Sequence, residues 1–170
     1  MKTIKFRYRL MIGLLALTML GATSTLITNH RSVLLLDEPC RLEGMVIKIT
    51  DGDTINVLDA NKQTHKIRLA GIDAPERRQP YGKAATKFLA KQVSQKTVCI
   101  EGDKLDRYKR LVGVIKYEDR DINLELVKAG YAWHYKKYQR ELTPADRVLY
   151  SNAELQARSD VIGLWSEPNP

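Results

Sequence analysis

The sequence predicts an α+β protein, mainly β, in which helices pack on a small barrel. Two observations lead to this prediction. Three consecutive β-rich segments separated by short turns have the pattern of a meander, and the later segments complete the order βββ-α-ββ-α-α. With 170 residues, the chain is long enough for one domain with a core of its own.

The meander is predicted from three short segments in the first half of the chain. Residues 45–50 are rich in β-forming side chains, and residues 54–58 and 64–70 alternate between apolar and polar positions. Turn residues separate them at Asp51-Gly52 and at 59–62. These short connections predict antiparallel neighbours.

A helix and two further strands are predicted next. Apolar residues recur at helical spacing over residues 81–93, which indicates an amphipathic helix. Residues 97–100 and 110–117 have the composition of strands, and the second ends at a turn over residues 118–120.

Two helices complete the predicted elements. A short helix over residues 122–128 ends before Gly130. A longer helix over residues 143–159 begins at Thr143, an N-cap residue followed by a proline. Its apolar face is predicted to contain Leu149, Ala153 and Ala157.

The charge of the chain favours a polyanionic partner. The formal net charge is +8, which fits nucleic acid or an anionic membrane surface. Four basic residues lie in the first 24 positions, so the rest of the chain carries 24 basic against 20 acidic residues, a balance of only +4. The ordinary charged fraction, 28%, excludes a disordered or fibrous protein.

Residues 1–24 have the pattern of an export signal. A basic segment ends at Arg9, an uncharged stretch covers residues 10–28, and residues 22–24 are small enough for a signal-peptidase site. The same stretch is just long enough to span a bilayer, so an uncleaved membrane anchor is the alternative. Because its second half is rich in Thr and Ser, cleavage is favoured. The protein is therefore expected in the periplasm or outside the cell.

A linker over residues 25–39 is predicted to precede the domain, which covers residues 40–168. The domain contains the only two cysteines, Cys40 and Cys99. In an exported protein an even pair of cysteines predicts a disulfide, and two cysteines are too few for a zinc site. Two unpaired thiols are the alternative if the protein is not exported.

Acidic residues lie at both ends of the predicted meander. Asp53 follows the Asp51-Gly52 turn, and Asp73 and Glu76 follow the third strand. The first turn and the end of the third strand can lie at one rim of a sheet, so Asp53 and Asp73 can share one hard divalent cation. By itself the turn motif is more typical of a hairpin with solvated carboxylates. A nucleotide-sugar transferase, which also uses an Asp-x-Asp pair, needs a larger nucleotide-binding domain.

Two arginines and a glutamate fit the chemistry of a phosphodiester. Arg68 lies at a polar position of the third strand, and Arg110 begins a later strand. The arginine fork matches a phosphate and stabilises the charge that builds on it in a transition state. Glu76 can orient a water molecule or take its proton. Each residue alone is more often a surface ion-pair partner, but the set predicts metal-dependent cleavage of nucleic acid.

The ordered motifs resemble the staphylococcal nuclease-like (thermonuclease) family over about residues 40–166. The matching segments are residues 46–54, 67–76, 106–110, 130–138 and 153–165. The resemblance implies a five-stranded OB-type barrel with three helices. It also implies a monomeric, calcium-dependent phosphodiesterase that binds one metal ion and hydrolyses DNA and RNA with little sequence preference.

The resemblance assigns roles to individual residues. Asp53 and Asp73 correspond to the calcium carboxylates, and Ala74 would give its backbone carbonyl to the ion. The phosphate-binding arginines and the catalytic carboxylate correspond to Arg68, Arg110 and Glu76.

The base side of the predicted site departs from the family pattern. Lys136 replaces one of two tyrosines that face the nucleotide base, whereas Tyr138 remains, so stacking is expected to be weaker or shared with Tyr108. These three residues are predicted to bind substrate. Lys109 replaces a glycine in the turn before Arg110. The basic run over residues 136–140 is either a steering surface for nucleic acid or, as is more common, a solvated face.

The resemblance also bears on the cysteines and on the rival function. It implies that Cys40 precedes the first barrel strand and that Cys99 lies in the neighbouring fourth strand, so the two can meet. The rival function is a catalytically silent module that binds nucleic acid or protein on the same barrel. The complete residue set favours the enzyme.

Overall fold

A closed five-stranded barrel forms the centre of the described region, residues 40–166 of this computed structural model. In chain order the strands of this region are β1 (Leu42–Ile49), β2 (Thr54–Asp59), β3 (Thr64–Leu69), β4 (Ile72–Asp73), β5 (Thr97–Leu105), β6 (Leu111–Tyr117), β7 (Arg120–Asp121) and β8 (Trp133–His134). Antiparallel pairing gives the sheet order β3-β2-β1-β5-β6-β7.

Parallel pairing between β3 and β6 closes the barrel. Ile67 pairs with Leu111, and Leu69 pairs with Gly113. Closure removes the exposed edges that an open meander would leave. The predicted fold class, a five-stranded OB-type barrel with packed helices, is confirmed.

Three α-helices pack around the barrel, at the positions that the sequence predicts. They are α1 (Gly82–Val93), α2 (Ile122–Lys128) and α3 (Pro144–Ser159), and 3-10 helices cover Lys136–Glu141 and Gly163–Ser166. The side chain of Asp121 accepts from the Leu124 N–H and caps α2, and Thr143 accepts from the Asp146 N–H and caps α3.

Inward-facing strand residues and the apolar faces of the helices form one core. The alternation in β2 and β3 buries Ile55, Val57, Ile67 and Leu69. The fully buried hydrophobic residues from the three helices are Ala85, Leu89, Val93, Ile122, Leu126, Val127 and Tyr150.

The predicted apolar face of α3 is wrong at one position. Ala153 and Ala157 are buried, but Leu149 is 51% exposed. Tyr150 enters the core instead, and its hydroxyl donates to both carboxylate oxygens of Asp121 at 2.9 Å. The helix is rotated from the predicted orientation because the tyrosine combines a large apolar ring with a buried hydrogen-bond partner.

Strand β5 continues five residues beyond the predicted strand. Its pairing with β6 shifts register between Glu101 and Lys104, and Gly102 lies in this irregular stretch with φ +140°. A Cβ atom at Gly102 would lie 2.3 Å from the Val112 carbonyl oxygen, so only glycine fits. The extension carries Lys104 and Leu105 to the cleft described below.

A disulfide joins Cys40 to Cys99, with 5.4 Å between their Cα atoms. The bond ties the residue that precedes β1 to the neighbouring strand β5, where Glu43 pairs with Cys99. The predicted pairing of the two cysteines is therefore present.

The predicted export segment, residues 1–24, and the predicted linker, residues 25–39, lie outside the described residues. Between residues 40 and 166, none of the helices combines the length and the apolarity that crossing a bilayer requires.

Candidate active site

The turn between β1 and β2 holds Asp53 at one rim of the barrel. The backbone N–H of Asp53 donates to Oδ1 of Asp51 at 3.1 Å, and its carbonyl accepts from the Leu69 N–H at 2.9 Å. The aspartate is therefore tied both to its own turn and to the end of β3. This confirms that the first turn and the end of the third strand meet at one rim.

Gly52 allows this turn to pack closely against the segment that follows β4. A Cβ atom at Gly52 would lie 2.7 Å from the Ala74 Cβ and 2.8 Å from the Ala85 Cβ. Across this contact, the Ala74 N–H donates to Oδ2 of Asp53 at 3.0 Å. The N–H of Ala74 thus lies next to the Asp53 carboxylate, and the role of its carbonyl as a metal ligand stays a prediction.

Arg68 joins the two predicted metal carboxylates. Its Nη2 lies 2.9 Å from Oδ1 of Asp73 and 3.2 Å from Oδ2 of Asp53. Its Nη1 donates to the carbonyl oxygens of Leu69 and Ile72 at 2.9 and 3.0 Å. These four contacts fix the plane of the guanidinium. They also hold both carboxylates close to one atom, the Arg68 Nη2.

Burial makes this pair of carboxylates electrostatically costly. Asp53 is only 7% exposed, and burial raises its pKa to about 7, with Arg68 lowering the pKa and Asp51 raising it further. Burial also raises the pKa of Asp73, again with opposite contributions from Arg68 and Asp51. An additional cation would therefore stabilise the charged carboxylates.

The donor chemistry at this rim suits a hard cation. Asp53 and Asp73 offer carboxylate oxygens that one ion can reach together, and oxygen is the ligand that calcium and magnesium prefer. Within residues 40–166, no group of three or more acidic, histidine or cysteine side chains is arranged to hold a metal ion. The predicted ligand set is the carboxylates of Asp53 and Asp73 and the backbone carbonyl of Ala74.

Asp106 shapes the turn that presents Arg110. Its Oδ1 accepts from the backbone N–H groups of Tyr108 and Arg110, and its Oδ2 accepts from the Arg110 Nε at 2.6 Å. Lys109, which stands where the family has glycine, adopts φ +61°. The turn therefore keeps the left-handed backbone that glycine favours, despite the side chain.

Both arginines face one cleft of about 430 Å³. The lining combines strands β3, β4, β5 and β6, the turn after β5, and the 3-10 helix near Tyr138. The predicted site residues that line the cleft are Arg68, Asp73, Tyr108, Arg110 and Tyr138. Asp53 and Ala74 adjoin it through their contacts with Arg68 and with each other.

Tyr135 is a cleft residue that the sequence reasoning missed. It lines the cleft beside Tyr138, with 5.0 Å between the ring centroids, and its N–H donates to the Gly71 carbonyl at 2.9 Å. In the sequence, aromatic residues alternate at positions 131, 133 and 135, and this period of two indicates a strand. The structure has the short strand β8 there, paired with β4.

Arg107 adds a further cation to the same cleft. Its guanidinium carbon lies 4.7 Å from the centroid of the Tyr108 ring, and that of Arg110 lies 5.5 Å from the same centroid. Tyr108 is 64% exposed, so its ring remains accessible from the cleft.

Besides Asp53 and Ala74, two predicted residues lie outside the cleft lining. Glu76 is exposed in the turn that follows Pro75, where its N–H donates to Oε1 of Gln79 at 2.7 Å. Lys136 does not line the cleft, and its role in substrate binding stays a prediction. The Lys136 ammonium pairs with the buried carboxylate of Glu154 on α3, because that carboxylate is only 4% exposed and needs a counter-charge.

Comparison with known proteins identifies similar sequences. The family model described as staphylococcal nuclease homologue matches residues 66–167. An uncharacterized endonuclease of Haemophilus influenzae is 42% identical over 125 residues, which cover 74% of this chain and 67% of that protein. The micrococcal nuclease of Shigella flexneri is 39% identical over 135 residues, covering 74% and 75%. Protein ParB of Escherichia coli is 36% identical over 149 residues, covering 81% of each chain.

Proposed function

The chain belongs to the staphylococcal nuclease homologue family, and from this premise we propose that it is a calcium-dependent nuclease that hydrolyses phosphodiester bonds in DNA and RNA. The observation that carries the proposal is the Arg68 guanidinium, which contacts Asp53 and Asp73 in the same cleft as Arg110. Phosphate-binding and cation-binding groups thus converge at one rim of the barrel.

The two arginines bind and orient the scissile phosphate. Arg110 is held by Asp106 and lines the cleft with Arg68, so two guanidinium groups bring positive charge into the cleft. Contacts with the protein orient both groups before substrate binds, so little reorganisation is needed when negative charge builds on the phosphate. These residues are accordingly expected to stabilise the transition state more strongly than the bound substrate.

The oxygen-rich rim fits the calcium ion that the family resemblance implies. Asp53, Asp73 and the carbonyl of Ala74 would hold it, and burial of both carboxylates favours a bound cation. When bound, the ion supplies Lewis-acid stabilisation of the phosphate and of the attacking water.

Glu76 is the residue proposed to activate the water molecule that attacks phosphorus. It is exposed and lies three residues after Asp73 in the chain, in the turn that leads to α1. From there its carboxylate can accept a hydrogen bond from the water, orient it for in-line attack on phosphorus and take its proton.

The proposal extends to substrate range, location and assembly. Contacts to phosphate carry no sequence information, so cleavage with little sequence preference is expected for both DNA and RNA. The N-terminal pattern supports export to the periplasm or the extracellular space, either with cleavage of the segment or with retention through residues 10–28 as an anchor. The protein is proposed to act as a monomer.

Variants of Arg110 and of Asp73 test the assignment. Purified protein is incubated with single-stranded DNA and RNA in calcium, and Arg110→Lys and Asp73→Asn are compared with Lys62→Gln, an exposed control in the turn after β2. Cleavage by the wild type and the control, with a loss on the order of 100-fold in the two site variants, is expected. Binding of nucleic acid without cleavage under any metal condition would instead identify the silent module.

A further inference from the structure

Three lysines form a line on the outer face of α1. Lys83, Lys87 and Lys91 follow one another at intervals of four residues, and all three are exposed. Residues four apart are neighbours on a helix surface, and at a rise of about 1.5 Å per residue the line is about 12 Å long. These three residues are called the α1 stripe below. None of them lines the cleft.

The opposite face of α1 holds the helix against the barrel. Ala85, Leu89 and Val93 are buried in the core. Each of them lies two residues from a lysine of the α1 stripe, which corresponds to roughly 200° around the helix axis. The stripe therefore points away from the core, and a ligand can reach it without any change in packing.

The charge of the α1 stripe is uncompensated. Helix α1 contains no acidic residue. In the part of the chain that the structure describes, none of the three lysines has a carboxylate within ion-pair distance. Arg77 and Arg78 are exposed in the turn before the helix and add two positive charges next to its first residue. This face of the molecule therefore favours an anionic partner.

The stability of the helix does not account for this arrangement. Like charges four residues apart repel each other on a helix surface. Lys83 also lies in the first turn, where the helix dipole disfavours a cation, and the N-cap residue Tyr81 makes no capping hydrogen bond through its side chain. The α1 stripe therefore lowers the stability of α1, and a bound polyanion would relieve the repulsion.

The N-terminal end of α1 adjoins the candidate active site. Gly82 packs so closely against the Glu76 carbonyl oxygen that a Cβ atom there would overlap it, and Ala85 packs against Gly52 in the turn that holds Asp53. The α1 stripe begins one residue after Gly82. Its first lysine therefore lies close to the rim that carries the site, but outside the cleft.

The α1 stripe suits the outside of a nucleic-acid duplex. A duplex carries one negative charge per about 1.7 Å of its axis, so several phosphates lie along a stripe of this length. The exposed large apolar residues of the described region include none from α1, so the stripe offers no surface on which unpaired bases can stack. A rigid row of cations without an aromatic ring therefore favours a duplex, whose bases are stacked inside, over a single strand.

We propose that the α1 stripe is a second nucleic-acid site, which binds backbone phosphates of double-stranded DNA outside the cleft. Lys83, Lys87 and Lys91 each pair with one phosphate that is not being cleaved. The choice of nucleic acid rests on the proposed function, whereas the uncompensated row of cations does not. Because the stripe begins close to the rim of the site, DNA bound there stays near the cleft between cleavage events.

The test compares two triple variants that remove the same charge. The stripe variant combines Lys83→Gln, Lys87→Gln and Lys91→Gln. The control combines Lys48→Gln, Lys62→Gln and Lys66→Gln, at exposed positions of β1, of the turn after β2 and of β3. Binding of a DNA duplex several helical turns long, and of one of its single strands, is measured in chelator at several salt concentrations. Cleavage of a thymidine dinucleotide is measured in calcium.

The stripe variant should bind the duplex on the order of 100-fold more weakly than the wild type at about 0.1 M salt. Its salt slope for the duplex, log K against log salt, should be smaller by about 2.7, since each phosphate contact contributes about 0.9. Its affinity for the single strand should change much less, and the control should keep the duplex affinity to within a few-fold. Cleavage of the dinucleotide, which has one phosphodiester bond and cannot occupy the cleft and the stripe together, should be unchanged.

Four outcomes overturn the inference. An equal loss of duplex affinity in the stripe variant and the control would mean that only the overall charge matters. An equal fractional loss for the duplex and the single strand would remove the assignment to a duplex. A matching loss in dinucleotide cleavage would mean that the lysines act on the active site itself. An unchanged duplex affinity, with weaker binding to phosphatidylglycerol vesicles, would assign the stripe to an anionic membrane surface.

The proposed function fails separately from this inference. Failure of the wild type to cleave the dinucleotide and the duplex in calcium would contradict the proposed function. The duplex affinities of the wild type, the stripe variant and the control are measured in chelator, so they still decide whether the α1 stripe binds DNA.

Discussion

Removal of the disulfide is expected to destabilise the barrel strongly. The bond closes a loop between residues that are 59 positions apart, and it fixes the start of β1 to β5. The chain-entropy model for a loop of this length gives about 4 kcal/mol of stabilisation. At roughly 2.1 cal/mol/K of unfolding entropy per residue, a domain of roughly 130 residues should then lose about 15 °C in Tm.

Thermal unfolding of the Cys40→Ser, Cys99→Ser double variant measures this loss directly. Chemically reduced wild-type protein is the second sample, because it removes the same bond without changing the sequence. Hydrogen exchange should become faster in β1, whose end leads to Asp53, before it does so in β3. Titration of the unfolded, unreduced wild type should find no free thiol. Two free thiols, or a Tm within about 3 °C of the wild type in both samples, would refute the reasoning.

Four further substitutions follow from individual contacts. Arg68→Lys should reduce kcat on the order of 100-fold, because the lysine ammonium cannot reproduce the four contacts of the guanidinium. A change of only a few-fold would exclude a role of Arg68 in stabilising the transition state. Lys109→Gly should raise the free energy of unfolding, measured in urea, by up to about 1 kcal/mol, because Lys109 has φ +61° and glycine adopts this backbone without strain. A lower free energy of unfolding would contradict the idea that the backbone is strained at Lys109. Tyr150→Phe should cost about 1.5–3 kcal/mol because the partly buried carboxylate of Asp121 loses its hydroxyl donor, and an unchanged urea midpoint would show that the bond contributes little. Burial lowers the pKa of His134, so between pH 7 and pH 5 the unfolded chain binds a proton that the folded protein resists. The free energy of unfolding of His134→Phe relative to that of the wild type should therefore rise from pH 7 to pH 5, whereas parallel curves would contradict this.

The parts of the site that local patterns determine could be predicted from the sequence. Asp53 follows a short turn, and Arg68 and Asp73 lie at and just beyond the end of the third strand, so a meander alone brings them to one rim. The observed contacts of Arg68 with both carboxylates agree with this reasoning. The start of α3 was predictable for the same reason, because the side-chain cap at Thr143 acts within a few residues.

The parts that depend on distant packing could not be predicted in this way. Strand β8 has two residues and forms only when it pairs with β4, some 60 residues earlier, so Tyr135 has no local signal strong enough to place it in the cleft. The ion pair of Lys136 could not be predicted because the sequence does not reveal that its partner, Glu154 on α3, is buried. Leu149 and Tyr150 are both apolar enough to face the core, and the buried Asp121 decides between them.

Cleavage of a single-stranded oligonucleotide as a function of free calcium tests the central claim most directly. The same preparation of wild-type protein is assayed with calcium, with excess chelator, and after calcium is restored, and Asp53→Asn is assayed in parallel. The account predicts cleavage in calcium, loss in chelator, recovery on restoration, and little activity in the variant at any calcium concentration. Undiminished cleavage in chelator, or full activity of Asp53→Asn, would contradict it.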